Sequence, residues 1–294
     1  MKTSNHLLRR LTAALLAAVL ALSIALPVFA SDDGDTIYIN SVSDLLSLAK
    51  SCAYDQWSVG KTVILQKDLS LEGMLWEPIP SFSGQFKGSG HTISDLTITG
   101  QYSPAGLFGI VEEQGSIESL SVRGVVSVSD SADTTTGGIV GINHGTLINC
   151  QFTGVVTGDS EVGGIVGRNE SEGTIDHSTA RAIVTGKSST GGIAGYNLGA
   201  ITGCTNVGSI NTEYQEASLD TDGFTAKMVD QINNKIAAAD DDATNSVTNV
   251  ATDTGGIAGR SSGMILTSVN TGTVGYEHIG YNVGGIVGRT DGLV

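Results

Sequence analysis

Apolar positions in this chain come in short runs, broken by glycine and polar residues, and the runs recur along the sequence. A Gly-Gly-Ile-(Val/Ala)-Gly block begins at Gly137, Gly163, Gly191, Gly255 and Gly284, at spacings of 26, 28, 64 and 29 residues. A looser copy, Ala105-Gly106-Leu107-Phe108-Gly109, precedes them. Each copy except the last is followed by Gly-x-(Ile/Leu), at Gly115, Gly145, Gly173, Gly199 and Gly263. A third apolar site follows at Val126, Val156, Val184, Ile210 and Val274. No unit holds a helix-length pattern. Three short strands, none able to bury a face alone, need neighbouring units to complete a core. Stacking the units as coils predicts an all-β fold, a parallel β-helix of three sheets with strands about 4.8 Å apart. Ile139, Ile165, Ile193, Ile257 and Ile286 then form one inward ladder, and the third apolar sites form another. The glycines mark corners, where the chain turns with positive φ or passes close to the next coil. Helical repeats lack the required helix per unit, and a propeller blade needs a longer unit.

Two segments depart from this pattern. Residues 31–80 precede the repeats at 81–294 and read as a small N-terminal capping segment. Ser41 is placed to cap a short helix, with Asp44 three positions on and Leu45, Leu46, Leu48 and Ala49 on its buried face. Such a helix covers the first coil and its open strand edges; Trp57 and Trp76 are expected to pack there. The second departure, an insertion at 212–254, accounts for the 64-residue spacing where another coil takes 28. Phe224, Met228, Ile232 and Ile236 recur every four residues as a helical stripe.

The motif Gly-Gly-Ile-Val-Gly-x-Asn-x-Gly-x-(Ile/Leu)-x-x-Cys, at Gly137–Cys150 and again at Gly191–Cys204, resembles the GLUG repeat of bacterial surface proteins. Trp76-Glu77-Pro78-Ile79 with Phe82-x-Gly84-x-Phe86-x-Gly88-x-Gly90-His91-x-Ile93 is similar to the segment that leads into such repeats. The resemblance implies a right-handed parallel β-helix on a secreted or wall-attached protein, adhesin-like or part of an immunoglobulin-A-cleaving peptidase. It carries no catalytic residues onto this sequence.

Composition adds an address. Lys2, Arg9 and Arg10, the apolar run Leu11–Leu26 and the ending Val28-Phe29-Ala30 read as a signal peptide at 1–30, cleaved after Ala30; the alternative is an uncleaved membrane anchor, since Leu11–Ala30 is almost long enough to span a bilayer. A secreted or cell-surface location follows. The last block is followed only by Arg289 to Val294, so the chain is expected to be truncated, with further repeats or a C-terminal partner domain beyond. Glycine supplies 40 of 294 residues and proline 4, without a three-residue period, which excludes collagen. There are 15 basic and 30 acidic residues, and all the acids lie beyond residue 30. That surplus excludes nucleic acid as an expected partner.

Chemistry is sparse. There is no His-Glu-x-x-His, and His91, His144, His177 and His278 fall in different coils without ligand spacing. Asp240-Asp241-Asp242 and Asp220-x-Asp222-Gly223 do not match a calcium loop. The acids Asp159, Glu161, Glu170, Glu172 and Asp176 form no pair at matching offsets such as a glycosidase requires. No catalytic, metal or cofactor site is therefore expected. One recurring set stands out, the position after each block: Ile142, Arg168, Tyr196, Arg260 and Arg289. Facing outward, it would stack Arg168 on Tyr196 and Tyr196 on Arg260, a possible contact strip for an anionic glycan. Asn143, Asn169 and Asn197, one residue on, are expected to form an amide ladder. Cys150 and Cys204 share an offset with Ser178 between them. That puts them about 9.6 Å apart by strand spacing, too far for a disulfide. The expected function is a non-enzymatic surface module, a spacer or adhesin-like stalk that meets host or matrix glycans or proteins. The alternative is the non-catalytic part of a larger secreted peptidase or polysaccharide-degrading enzyme.

Overall fold

The computed structural model describes residues 35–54, 56–128, 134–212, 252–275 and 281–291. The expected signal peptide, the helical stripe of the insertion, its aspartate clusters, His278 and the last three residues lie outside these.

The described chain is a parallel β-solenoid, as the repeats predict. One coil runs through Thr135–Gly137, Val140–Asn143, Thr146–Ile148 and Gln151–Thr157. These four strands belong to the first to fourth sheets, which hold 5, 7, 8 and 9 strands. The expected three sheets are thus joined by a fourth, short one. Its strands, Thr-Thr-Gly at 135–137 and Glu-Val-Gly at 161–163, lack the apolar run that marks the others. Pairing is parallel and follows the repeat alignment, with Val126, Val156, Val184, Ile210 and Val274 in one column.

The inward ladders are closed. Ile139, Ile165, Ile193 and Ile257 are fully buried, as are Val126, Val156, Val184 and Ile210. Ile286, in the last described coil, is 41% exposed, and Val274 is half-buried. Toward the N-terminus the core is filled by Trp76 and a trio of rings, Phe82, Phe86 and Phe108, with centroids 5.4 to 6.3 Å apart.

The block glycines serve close approach rather than left-handed turning, for none of those at 137, 138, 163, 164, 191 and 192 has positive φ. A Cβ on Gly164 would sit 2.2 Å from the carbonyl oxygen of Gly192, so a side chain here would push the next coil away. Left-handed backbone instead forms its own column at the corner between the third and fourth sheets. Ser119, Asn149, His177 and Thr267 sit there at φ of 51°, 52°, 46° and 48°, with Gly203 at 62°.

The capping segment joins the sheet it covers. Thr36–Ile39 pairs with Thr62–Leu65 and extends the third sheet. The helix Val42–Ser51 starts at Ser41, whose hydroxyl accepts from the Asp44 amide at 3.2 Å. The Asp44 carboxylate accepts from the Asn40 amide at 2.9 Å, which ties the residue before the cap to the first turn. Leu45 and Leu48 are buried, while Leu46 and Ala49 pack at the core margin. Trp76 is buried with its indole N–H donating to the Leu107 carbonyl at 3.1 Å. Trp57 packs partly buried, with the Lys61 ammonium 5.3 Å from its ring.

Candidate ligand-contact strip

The second sheet carries the recurring outward position. Within Val140–Asn143 the side chains alternate, so Ile142 points out while Asn143 points into the coil. Parallel register then places Ile142, Arg168, Tyr196, Arg260 and Arg289 in one row. The predicted stack is present: the Arg168 guanidinium lies 5.1 Å from the Tyr196 ring centroid and that of Arg260 lies 4.9 Å from it. Both distances are within cation–π range.

What the row does chemically is decided by its neighbours. Arg168 donates to Glu161 at 2.9 Å and to Glu170 at 2.6 Å. Arg260 pairs with Asp291, which also takes Arg289 at 3.2 Å, and Asp253 lies 4.0 Å from Arg289. Burial pushes the Glu161 carboxyl up, opposed by the Arg168 charge and hydrogen bond. The Arg260 hydrogen bond holds Asp291 below the usual carboxylate range. Every guanidinium of the strip therefore already faces a carboxylate. An incoming anion would have to displace one, which removes most of the electrostatic reason for binding there.

Behind the strip runs the asparagine ladder. Asn143 donates to Asn169 Oδ1 and Asn169 to Asn197 Oδ1, both at 2.8 Å, and Asn197 donates to the Ser261 hydroxyl at 3.1 Å. The second amide hydrogens of the three reach Gly145, Gly173 and Gly199 carbonyls at the next corner. All three side chains are fully buried, so the ladder supports the turn and offers nothing to solvent.

Several other charged groups also pair with one another. Asp159 pairs with Lys187 at 2.7 Å, Asp176 with His177 at 2.8 Å, and Asp68 with His91 at 3.2 Å. Among the described residues no group of three His, Cys, Asp or Glu side chains is placed to hold a metal ion. Cys52, Cys150 and Cys204 are free and buried. Ser178 stands between the last two in the column and takes the Cys150 amide at 3.1 Å. A shallow depression of about 480 Å³ lies at the corner after the second sheet, bounded by Glu172, Leu198 and Met264. It follows from a longer corner, Glu170–Gly173, where the flanking coils use His144-Gly145 and Leu198-Gly199.

One surface was not visible as a candidate in the sequence. On the fourth sheet Arg123, Thr153 and Arg181 form one outward column, and Val125, Val155 and Ile183 form the next. A third column, Ser127, Thr157 and Thr185, flanks them.

Residues 158–185 match the family model of the GLUG motif. The chain carries a GLUG motif on a parallel β-solenoid. That matched segment is one coil, from the corner before Glu161–Gly163 to the end of Thr179–Thr185. Halomucin of Haloquadratum walsbyi is 32% identical over 155 residues, covering 48% of this chain and 2% of halomucin. A "Putative Gly-rich membrane protein" of Evansella cellulosilytica is 28% identical over 137 residues, covering 34% of this chain and 16% of that protein. The chain thus spans a small part of both relatives. Among solved structures, that of "a putative immunoglobulin A1 protease" from Bacteroides ovatus superposes with a TM-score of 0.53 at 19% identity. The match covers 88% of this chain and 75% of that one, and it shows a shared fold. Among the described residues no helix is long and apolar enough to cross a membrane.

Proposed function

We propose that this GLUG solenoid is a non-enzymatic, exported module of the cell surface, a stiff spacer or adhesin-like stalk. The observation that carries this reading is the engagement of its polar groups with one another. Coil pairs with coil through four sheets, the buried amides form ladders, and the outward charges of the second sheet are matched. Such a body advances about 4.8 Å per coil and resists bending, because each coil is hydrogen-bonded to the next along its length. Its surface-protein-like relatives support the reading. The test is exposure on the producing cell. Antibody against the chain should stain intact cells, and added protease should remove the signal without lysis. Staining that appears only after lysis would overturn the location. Turnover of a polysaccharide or peptide substrate by the purified chain would overturn the non-enzymatic role.

A further inference from the structure

The outer face of the fourth sheet differs from the rest of the molecule. In a chain with twice as many acids as bases, the three central strands of that sheet contain no acid at all. They contain two arginines, Arg123 and Arg181, both exposed. Among the described residues neither lies within ion-pairing distance of a carboxylate; Asp68, at the rim, feels Arg123 only through space. The contrast with Arg168, Arg260 and Arg289, each held by a carboxylate, is the telling point.

The face is regular in register. Arg123 and Arg181 share a column with Thr153 between them, so two coil steps, about 9.6 Å, separate their backbones. Beside them runs an apolar column in which Val125 is 39% and Ile183 37% exposed. The next column is hydroxyl-bearing throughout. The strands are central in their sheet, so no backbone edge is free and recognition must use side chains.

From this face we infer a binding surface for a linear anionic polysaccharide, lying along the solenoid axis with its charges on Arg123 and Arg181. The inference deepens the surface-module reading and rests on it. Hydroxyl columns suit a partner rich in hydroxyls, and the apolar column suits the C–H faces of sugar rings. Two guanidiniums two coils apart, with no carboxylate partner among the described residues, suit a chain charged once per disaccharide, and a guanidinium is the cation best shaped for a carboxylate or sulfate. A nucleic acid carries a charge on every nucleotide and would need many more cations than two, against the net charge of the protein. A second copy docking by the same face would bring arginines toward arginines.

The experiment uses the full chain. Binding is measured by calorimetry and bio-layer interferometry to uronate- or sulfate-bearing linear oligosaccharides, to the matched neutral oligosaccharides, and to polyphosphate. Measurable affinity for the anionic sugars is expected, weakening as salt rises because the exposed charges are screened. Arg123→Ala and Arg181→Ala should each weaken it by about tenfold, with Lys restoring part. The double variant R168A/R260A should bind as the parent does. Circular dichroism and melting temperature report whether each variant keeps the fold; because both arginines are exposed, R123A/R181A should melt as the parent does. Absence of binding by the parent chain, equal binding of polyphosphate or of neutral sugar, self-association through this face, or undiminished binding by R123A/R181A would each overturn the assignment. None of these bears on cell-surface exposure, so the two readings fail separately.

Discussion

Asparagine 169 offers the sharpest test of how the solenoid is held together, because its neighbour in the same ladder provides an internal control. Asn143 and Asn169 are both fully buried, and each gives up the same side chain on replacement by alanine. The hole and its local relaxation are therefore similar in the two variants and largely cancel in the difference. The hydrogen-bond consequences differ. Asn143 stands at the end of the ladder, next to Val111 of the preceding coil, and its Oδ1 is already buried without a partner. Asn143→Ala orphans Asn169 Oδ1 but removes that existing orphan, so the number of unpaired buried oxygens is unchanged. Asn169→Ala orphans Asn197 Oδ1 and one amide hydrogen of Asn143 and removes none, because the Asn143 oxygen stays unpaired. The carbonyls lose little in either case: Gly145 O still takes the Thr174 amide, and Gly173 O still takes that of Ala200. The additional unsatisfied buried acceptor alone costs about 1–3 kcal/mol, and the freed amide hydrogen adds to that in the same direction. Asn169→Ala should therefore destabilise by at least about 1–3 kcal/mol more than Asn143→Ala. The assay is urea unfolding of the two variants and the parent, with native-state amide hydrogen exchange reading the opening of the coil itself. Equal destabilisation within about 0.5 kcal/mol, or a larger loss for Asn143→Ala, would refute the reasoning.

Three further outcomes follow from the same geometry. Burial raises the thiols of Cys52 and Cys204 to about 11 and that of Cys150 to about 12. Iodoacetamide at pH about 8 should therefore leave the native chain unmodified and label three thiols after unfolding, whereas a linked Cys150–Cys204 peptide would contradict the ladder. Thr267 is a β-branched residue at φ 48°, in the column where Gly203 already stands, so Thr267→Gly should stabilise the chain by about 1 kcal/mol by thermal melting; a lower melting temperature would count against the column. Asp44, Asp68, Asp95 and Asp291 are held below the ordinary aspartate value, the first two chiefly by the backbone amides of Asn40 and Thr92, Asp95 by the Ser70 hydroxyl and Asp291 by Arg260. The unfolded chain binds more protons than the folded one around and below that value, so their stabilisation is complete above it and lost as pH falls through their folded values. Glu161, raised by burial, works the other way, with a contribution present at low pH and lost as pH rises through its folded value. Melting temperature should thus fall on acidification below about pH 4, and a rise there would show that the raised glutamate dominates.

Much of the tertiary structure was legible in the sequence, because in a solenoid an equal offset within the repeat means adjacency in space. The isoleucine and valine ladders, the Arg168–Tyr196–Arg260 stack and the asparagine ladder all follow from alignment of the repeats. So does the separation of Cys150 from Cys204 by Ser178. The capping helix was legible from Ser41 and Asp44, since its signals are local. Four features were decided only by the folded chain. The extra sheet is built from Thr-Thr-Gly and Glu-Val-Gly segments, whose strand state comes from pairing with the coils on either side. The glycines of the block are required by the carbonyls of the next coil, a distance no single repeat contains. The strip looked available for an anion until Glu161 and Asp291, which sit at other offsets, proved to occupy its guanidiniums. The acid-free face emerges only once Ser121–Val128, Gln151–Thr157 and Thr179–Thr185 lie side by side, because an absence of charge is a property of a surface and is spread too thinly along the chain to read there.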